Sequence, residues 1–151
     1  MGVSGIFIHK YLSNYFSKPF TYALCLDHLG EDTVQEFIGR EPSGRGFNDI
    51  ALDRNGKQIL GIKQVDHTIL GLPHNPMVNS GAIMSAALLL YKVRPELCTS
   101  DKFELVNNFF TRMAGGFKVG FQNTVFLSEK ETADRNHALA YFMREMGCFR
   151  E

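Results

Sequence analysis

The sequence has no excess charge of either sign: sixteen Lys and Arg residues balance sixteen Asp and Glu residues, for a formal net charge of +0 over 151 residues. A nucleic-acid binder clusters cations on one face or along one helix. No such basic stripe occurs, and nucleic acid is not expected as a partner. Long apolar runs are also missing. The longest, Ala82 to Leu90 with Ser85 inside it, is far shorter than the ~20 residues a helix needs to span a bilayer, so no membrane is expected either. Cysteine is sparse and odd in number: Cys25, Cys98 and Cys148 are scattered. With no CxxC and five isolated histidines, no metal-ligand pattern exists. The thiols read as free, in a reducing compartment. Met1 to Phe20 lacks the Arg-rich, amphipathic character of a transit peptide and a convincing signal-peptide cleavage region. Ile6 stands where a myristoylation signal requires Ser or Thr.

What is present is an ordinary globular composition, 44% hydrophobic and 21% charged, in a length suited to one domain with a moderate core. Pro19 fits the first turn of a helix carrying Phe20, Ala23, Leu24 and Asp27 and ending at Gly30. Thr33 can cap a short second helix with a Val34, Phe37, Ile38 stripe, stopped by Gly39. Residues 41–48 are loop by composition. Ala82 to Lys92 is apolar nearly all round and predicts a buried helix. Asp101 with Glu104 reads as a capped start. Phe103, Val106, Phe110 and Met113 follow as a core face, and Ala114-Gly115-Gly116 as the stop. Strand signals are weak: Val125-Phe126-Leu127 and Gln58 to Ile62.

Two places suggest ligand chemistry. In Pro73-His74-Asn75-Pro76-Met77-Val78-Asn79-Ser80-Gly81-Ala82-Ile83, a proline-fixed turn leads through small residues into a helix. Small side chains there would let a ligand approach the backbone, beside the donor and acceptor of Asn79. The spacing fits equally a tight loop with a self-satisfied asparagine. Further on, Ser128 and Glu131 form a capping box for a helix to about Met146. Glu129 and Asn136 lie seven residues apart on it, and seven steps of 100° return to within about 20°. With Ala133 between them, they make a shelf for a compact zwitterion: Glu129 for an ammonium, Asn136 for a carboxylate or amide. The alternative is a glutamate favoured by the helix dipole and a solvated asparagine.

Taken in order, the motifs form a specific set. They are Lys18-Pro19-Phe20-Thr21-Tyr22-Ala23, Gly39-Arg40-Glu41-Pro42-Ser43-Gly44 with Phe47-Asn48, the Pro73 to Ile83 segment, Met113-Ala114-Gly115, Val119-Gly120-Phe121, and Ser128-Glu129-Lys130-Glu131 leading to Asp134-Arg135-Asn136. This set resembles the serine-dependent glutaminases, which share the β-lactamase/penicillin-binding-protein fold. The similarity leaves 1–16 as an unmatched segment and 17–151 as a partial glutaminase domain, with an apparent insert within about 53–72. The resemblance implies the mainly helical portion of an α/β (α+β) β-lactamase/transpeptidase-like domain, its sheet incomplete or missing. It also implies hydrolysis of L-glutamine to L-glutamate and ammonia without a cofactor, in a homo-oligomer (dimer or tetramer), in a mitochondrial or cytosolic setting.

By the same resemblance, Asn79, Glu129 and Asn136 contact the substrate, and Lys18 holds the general-base position of a Ser-x-x-Lys pair. The nucleophile position then falls on Tyr15. None of the eight serines has a lysine three residues on. The family's further tyrosines and its backbone oxyanion contact match no residue before Glu151. The expected activity of chain 1–151 is therefore nil, and an inactive fragment working only through subunit contacts is the alternative function.

Overall fold

The computed structural model describes residues 17–49, 71–146 and 148. The segment 1–16 with Tyr15, the Gln58 to Ile62 strand and most of the expected insert lie outside the described residues. Six helices follow in order: α1 (Ser17–Leu29), α2 (Glu31–Gln35), α3 (Asn79–Tyr91), α4 (Thr99–Met113), α5 (Asn123–Glu131) and α6 (Asp134–Glu145). Among the described residues there is no strand element, as expected for a helical portion of a larger fold. Val125-Phe126-Leu127, expected as a strand, lies inside α5.

The centre is α3, against which α1, α4 and α6 pack. Every residue from Asn79 to Leu89 is buried. A helix apolar on all sides has no solvent face to offer, so its neighbours surround it. It begins three residues before the expected Ala82, with Val78 as N-cap. Gly81 explains the small residues at this entry: a Cβ there would lie 2.0 Å from the Asn75 carbonyl oxygen. The chain's own turn, rather than a ligand, occupies that space.

Pro19 sits in the first turn of α1, where its missing N–H costs no helical bond. The buried face is Lys18, Thr21, Leu24 and Cys25. Phe20 and Asp27, grouped with Leu24 by helical spacing, are exposed. Thr21 is tolerated inside because its hydroxyl donates to the Ser17 carbonyl at 2.8 Å. Gly30, at φ 77°, turns the chain straight into α2 and is its N-cap in place of Thr33. Val34 and Ile38 are buried, as the stripe predicted.

Helix α4 starts at Thr99, ahead of the expected Asp101 box, and its N-cap Cys98 makes no side-chain cap bond. Its inward residues are Lys102, Val106 and Phe109. Phe103 and Met113 are 37% and 55% exposed, so the expected core face is rotated outward at both ends. Lys102 takes an inward position instead: it is buried, and its Nζ donates to the Leu90 carbonyl near the C-terminus of α3. A cation there is favoured by the helix dipole. Gly115 and Gly116, at φ 71° and 88°, end the helix as expected.

The largest departure is the C-terminal helix. Ser128 and Glu131 belong to the last turns of α5, not to a capping box, and the chain breaks at Thr132–Ala133 before α6. Thr132 folds its hydroxyl back onto the Ser128 carbonyl at 3.2 Å, a local bond that competes with helix continuation. Ala133 is 6% exposed and tucks inward. Beyond it, Leu139 and Met143 of α6 are fully buried, and each contributes about 1.5–3 kcal/mol of burial.

Candidate functional site

Three chain segments bring polar side chains together where α1, α3 and α6 begin. Residues 39–41 run beside 73–75: Gly39 N–H donates to the Pro73 carbonyl and Glu41 N–H to the His74 carbonyl, each at 2.9 Å. Asn75 closes the turn. Its Nδ2 donates to the Glu41 carbonyl at 2.9 Å, while its Oδ1 accepts from Met77 N–H at 3.0 Å. That turn aims the Met77 carbonyl and Asn79 at α1. From the other side, Phe47 lends its carbonyl oxygen to Asn79 N–H at 2.7 Å.

Lys18 enters from the first turn of α1 and is 2% exposed. Its Nζ donates to Asn79 Oδ1 at 2.7 Å and to the Met77 carbonyl at 3.0 Å. Asn79 Nδ2 in turn donates to Asn136 Oδ1 at 2.9 Å. The direction of this chain follows from chemistry. An ammonium only donates, so Asn79 must turn its oxygen to Lys18 and its amide nitrogen to Asn136. Asn136, half-buried on α6, then keeps its own amide nitrogen for an acceptor beyond the chain. A carbonyl or carboxylate oxygen suits that position.

Burial pushes the Lys18 amine below its usual 10.5, because the charged form loses water it cannot fully replace. A lysine so tuned gives up its proton more readily and is better placed to act as a base. The ring of Phe47 lies 5.4 Å from Lys18 Nζ.

Of the four described positions, the structure joins three: Lys18, Asn79 and Asn136. Asn79 is the middle member of the network, bonded to Lys18 on one side and to Asn136 on the other. Glu129 is not among them; no hydrogen bond links it to the other three among the described residues. It sits half-exposed in the last turns of α5. The 100° spacing that aligned it with Asn136 does not cross the break at Thr132–Ala133. Sequence reasoning missed the Met77 carbonyl and the double contact of Phe47. A main-chain acceptor leaves no trace in residue identity. Among the described residues, no group of three or more His, Cys, Asp or Glu is placed to hold a metal ion.

The family model described as Glutaminase matches residues 5–151. The chain is 46% identical over 133 residues to a putative glutaminase 3 of Caenorhabditis elegans, covering 88% of this chain and 20% of that protein. It is 39% identical over 132 residues to the mitochondrial liver isoform of glutaminase from Rattus norvegicus, covering 87% of this chain and 19% of that protein. Glutaminase 2 of Clostridium perfringens is 36% identical over 145 residues, covering 95% of this chain and 42% of that protein. The chain thus spans about a fifth of the length of the animal relatives.

Proposed function

The chain belongs to the glutaminase family, and from that premise we propose that it serves the hydrolysis of L-glutamine to L-glutamate and ammonia by contributing the Lys18–Asn79–Asn136 part of a substrate site. One observation carries the reading. The lysine and two of the asparagines that the motifs single out, far apart in sequence, form one hydrogen-bonded chain at the mouth of three helices. In this reading Asn136 presents its amide nitrogen to an oxygen of glutamine, and Lys18 occupies the general-base position. Glu129, expected to meet the α-ammonium, stands outside this hydrogen-bonded chain. The helical body is a portion of a β-lactamase/transpeptidase-like domain.

Chain 1–151 by itself binds without turning over. A Ser-x-x-Lys pair works because residues i and i+3 share a helix face, bringing hydroxyl and amine together. Three residues before Lys18 stands Tyr15, a bulkier phenol that does not substitute for the serine alkoxide. Phe103 and Phe121, exposed and with their ring centroids 5.7 Å apart, offer apolar area for subunit contact in a homo-oligomer.

Calorimetric titration of purified chain with L-glutamine tests the reading, paired with an assay for released ammonia. The expected result is weak, saturable binding that Asn136→Ala abolishes, with ammonia no higher than in a heat-killed control. Ammonia release removed by Lys18→Ala would overturn the inactive assignment. Heat unchanged by Asn136→Ala would remove the site.

A further inference from the structure

Phe47 touches the Lys18–Asn79 pair twice. Its main chain accepts the Asn79 N–H at 2.7 Å, and its ring stands 5.4 Å from the Lys18 amine. We propose that Phe47 is a positioning residue for Lys18: its carbonyl seats the first turn of α3, and its ring covers the amine that this turn holds. The proposal rests on the base role assigned to Lys18 above.

The two contacts act on different parts of the geometry. Asn79 is the first residue of α3, and its N–H has no acceptor within the helix. Giving it the Phe47 carbonyl fixes where the carboxamide begins, and hence where Oδ1 meets Lys18. The ring does something the carbonyl cannot. A lysine ammonium within about 6 Å of an aromatic centroid is attracted to its π face, more strongly when water is excluded. Lys18 is 2% exposed and Phe47 44% exposed, so the ring forms part of the layer between amine and solvent. Attraction to the ring favours the ammonium, whereas burial favours the free amine. Phe47 thereby opposes the desolvation that lowers the Lys18 proton affinity, and it holds the amine in place while doing so.

Side-chain substitution separates the contacts, because any residue at 47 keeps the carbonyl. The probe is a pulse of an acetylating active ester on the full chain, with modification at each lysine read by peptide mass mapping. Lys118, exposed on the segment after α4, is the internal reference. Wild-type Lys18 is expected to react much more slowly than Lys118. Phe47→Leu retains apolar bulk without a π face and should speed Lys18 relative to Lys118 by several-fold to roughly tenfold, the range a desolvated cation–π contact supports. Phe47→Tyr restores the ring and should restore protection. A Lys18 rate unchanged in Phe47→Leu, or equally fast in Phe47→Leu and Phe47→Tyr, would overturn the proposal. A failed glutamine titration alongside intact ring-dependent protection would sink the substrate reading and leave Phe47 standing as the cover of Lys18.

Discussion

Helices α3 and α5 each carry a residue expected to meet the same ligand, Asn79 and Glu129, yet the two are held very differently. All eleven residues from Asn79 to Leu89 of α3 are buried, while α5 buries none. Asn79 has its N–H, Oδ1 and Nδ2 each tied to a partner from a different segment. Glu129 has no such tie to the site. Sequence spacing proposes which side chains belong together, but packing decides which are placed. A polar group at the end of a fully packed helix inherits the rigidity of the core, and a polar group on an unpacked helix does not.

The difference is sharpest in stability. Leu139→Ala, on the fully buried face of α6, should cost ~2–5 kcal/mol of unfolding free energy. Leu127→Ala on α5, at a site 47% exposed, should stay within ~0.5 kcal/mol. Urea titration followed by circular dichroism distinguishes them, and comparable losses would erase the contrast.

Alkaline pH probes the held region from within. Cys25 packs between α1 and α3, its thiol donating to the Ser85 carbonyl at 3.3 Å, and burial pushes it up from 9.0 to about 12. The unfolded thiol ionises first, so stability should fall as pH rises from about 9 toward about 12, by at most ~1.4 kcal/mol per unit. Lys18 works in the opposite sense. Its folded amine loses its proton before the unfolded one does, so it adds stability as pH rises toward 10.5. Cys25→Ser, which keeps a donor without that ionisation, should convert the alkaline fall into a shallower one. An unchanged slope would mean the thiol is not the titrating group.

Within the site the contrast repeats on a smaller scale. Asn79→Ala strips a buried acceptor from Lys18 and should cost ~1–3 kcal/mol. Glu129→Gln, on the unheld side, should shift stability by less than ~0.5 kcal/mol. Thermal melts of the two variants test this, and equal shifts would place Glu129 inside the network after all.

Much of this was legible in the residues. The 73–83 segment, read for its proline turn and its small-residue entry, does seat Asn79 at a helix start. The apolar run Ala82 to Leu90 is indeed surrounded. Lys18 and Asn136, singled out through the motif resemblance, meet Asn79 by direct bonds. The failures share a cause. The Ser128–Glu131 pattern satisfies the capping-box rule yet ends a helix, because Thr132 and the buried Ala133 turn the chain in a way the rule does not consider. On α4 the buried residues are Lys102, Val106 and Phe109, and no hydrophobic pattern places a lysine among them. At Gly81 the residues left a ligand approach and a tight loop equally open, and the turn at Asn75 fills the space. In each case a contact made in the fold, which residue type alone does not encode, overrode the pattern.

The Lys18–Asn79–Asn136 chain is proposed as a glutamine site. Side-chain amide resonances of the uniformly 15N-labelled protein, followed as L-glutamine is added, test it most directly. Saturable shifts confined to Asn79 and Asn136 Nδ2, with Asn107 and Asn108 on α4 unmoved, are what the geometry predicts. Amides of Asn79 and Asn136 that stay fixed at saturating L-glutamine would contradict it.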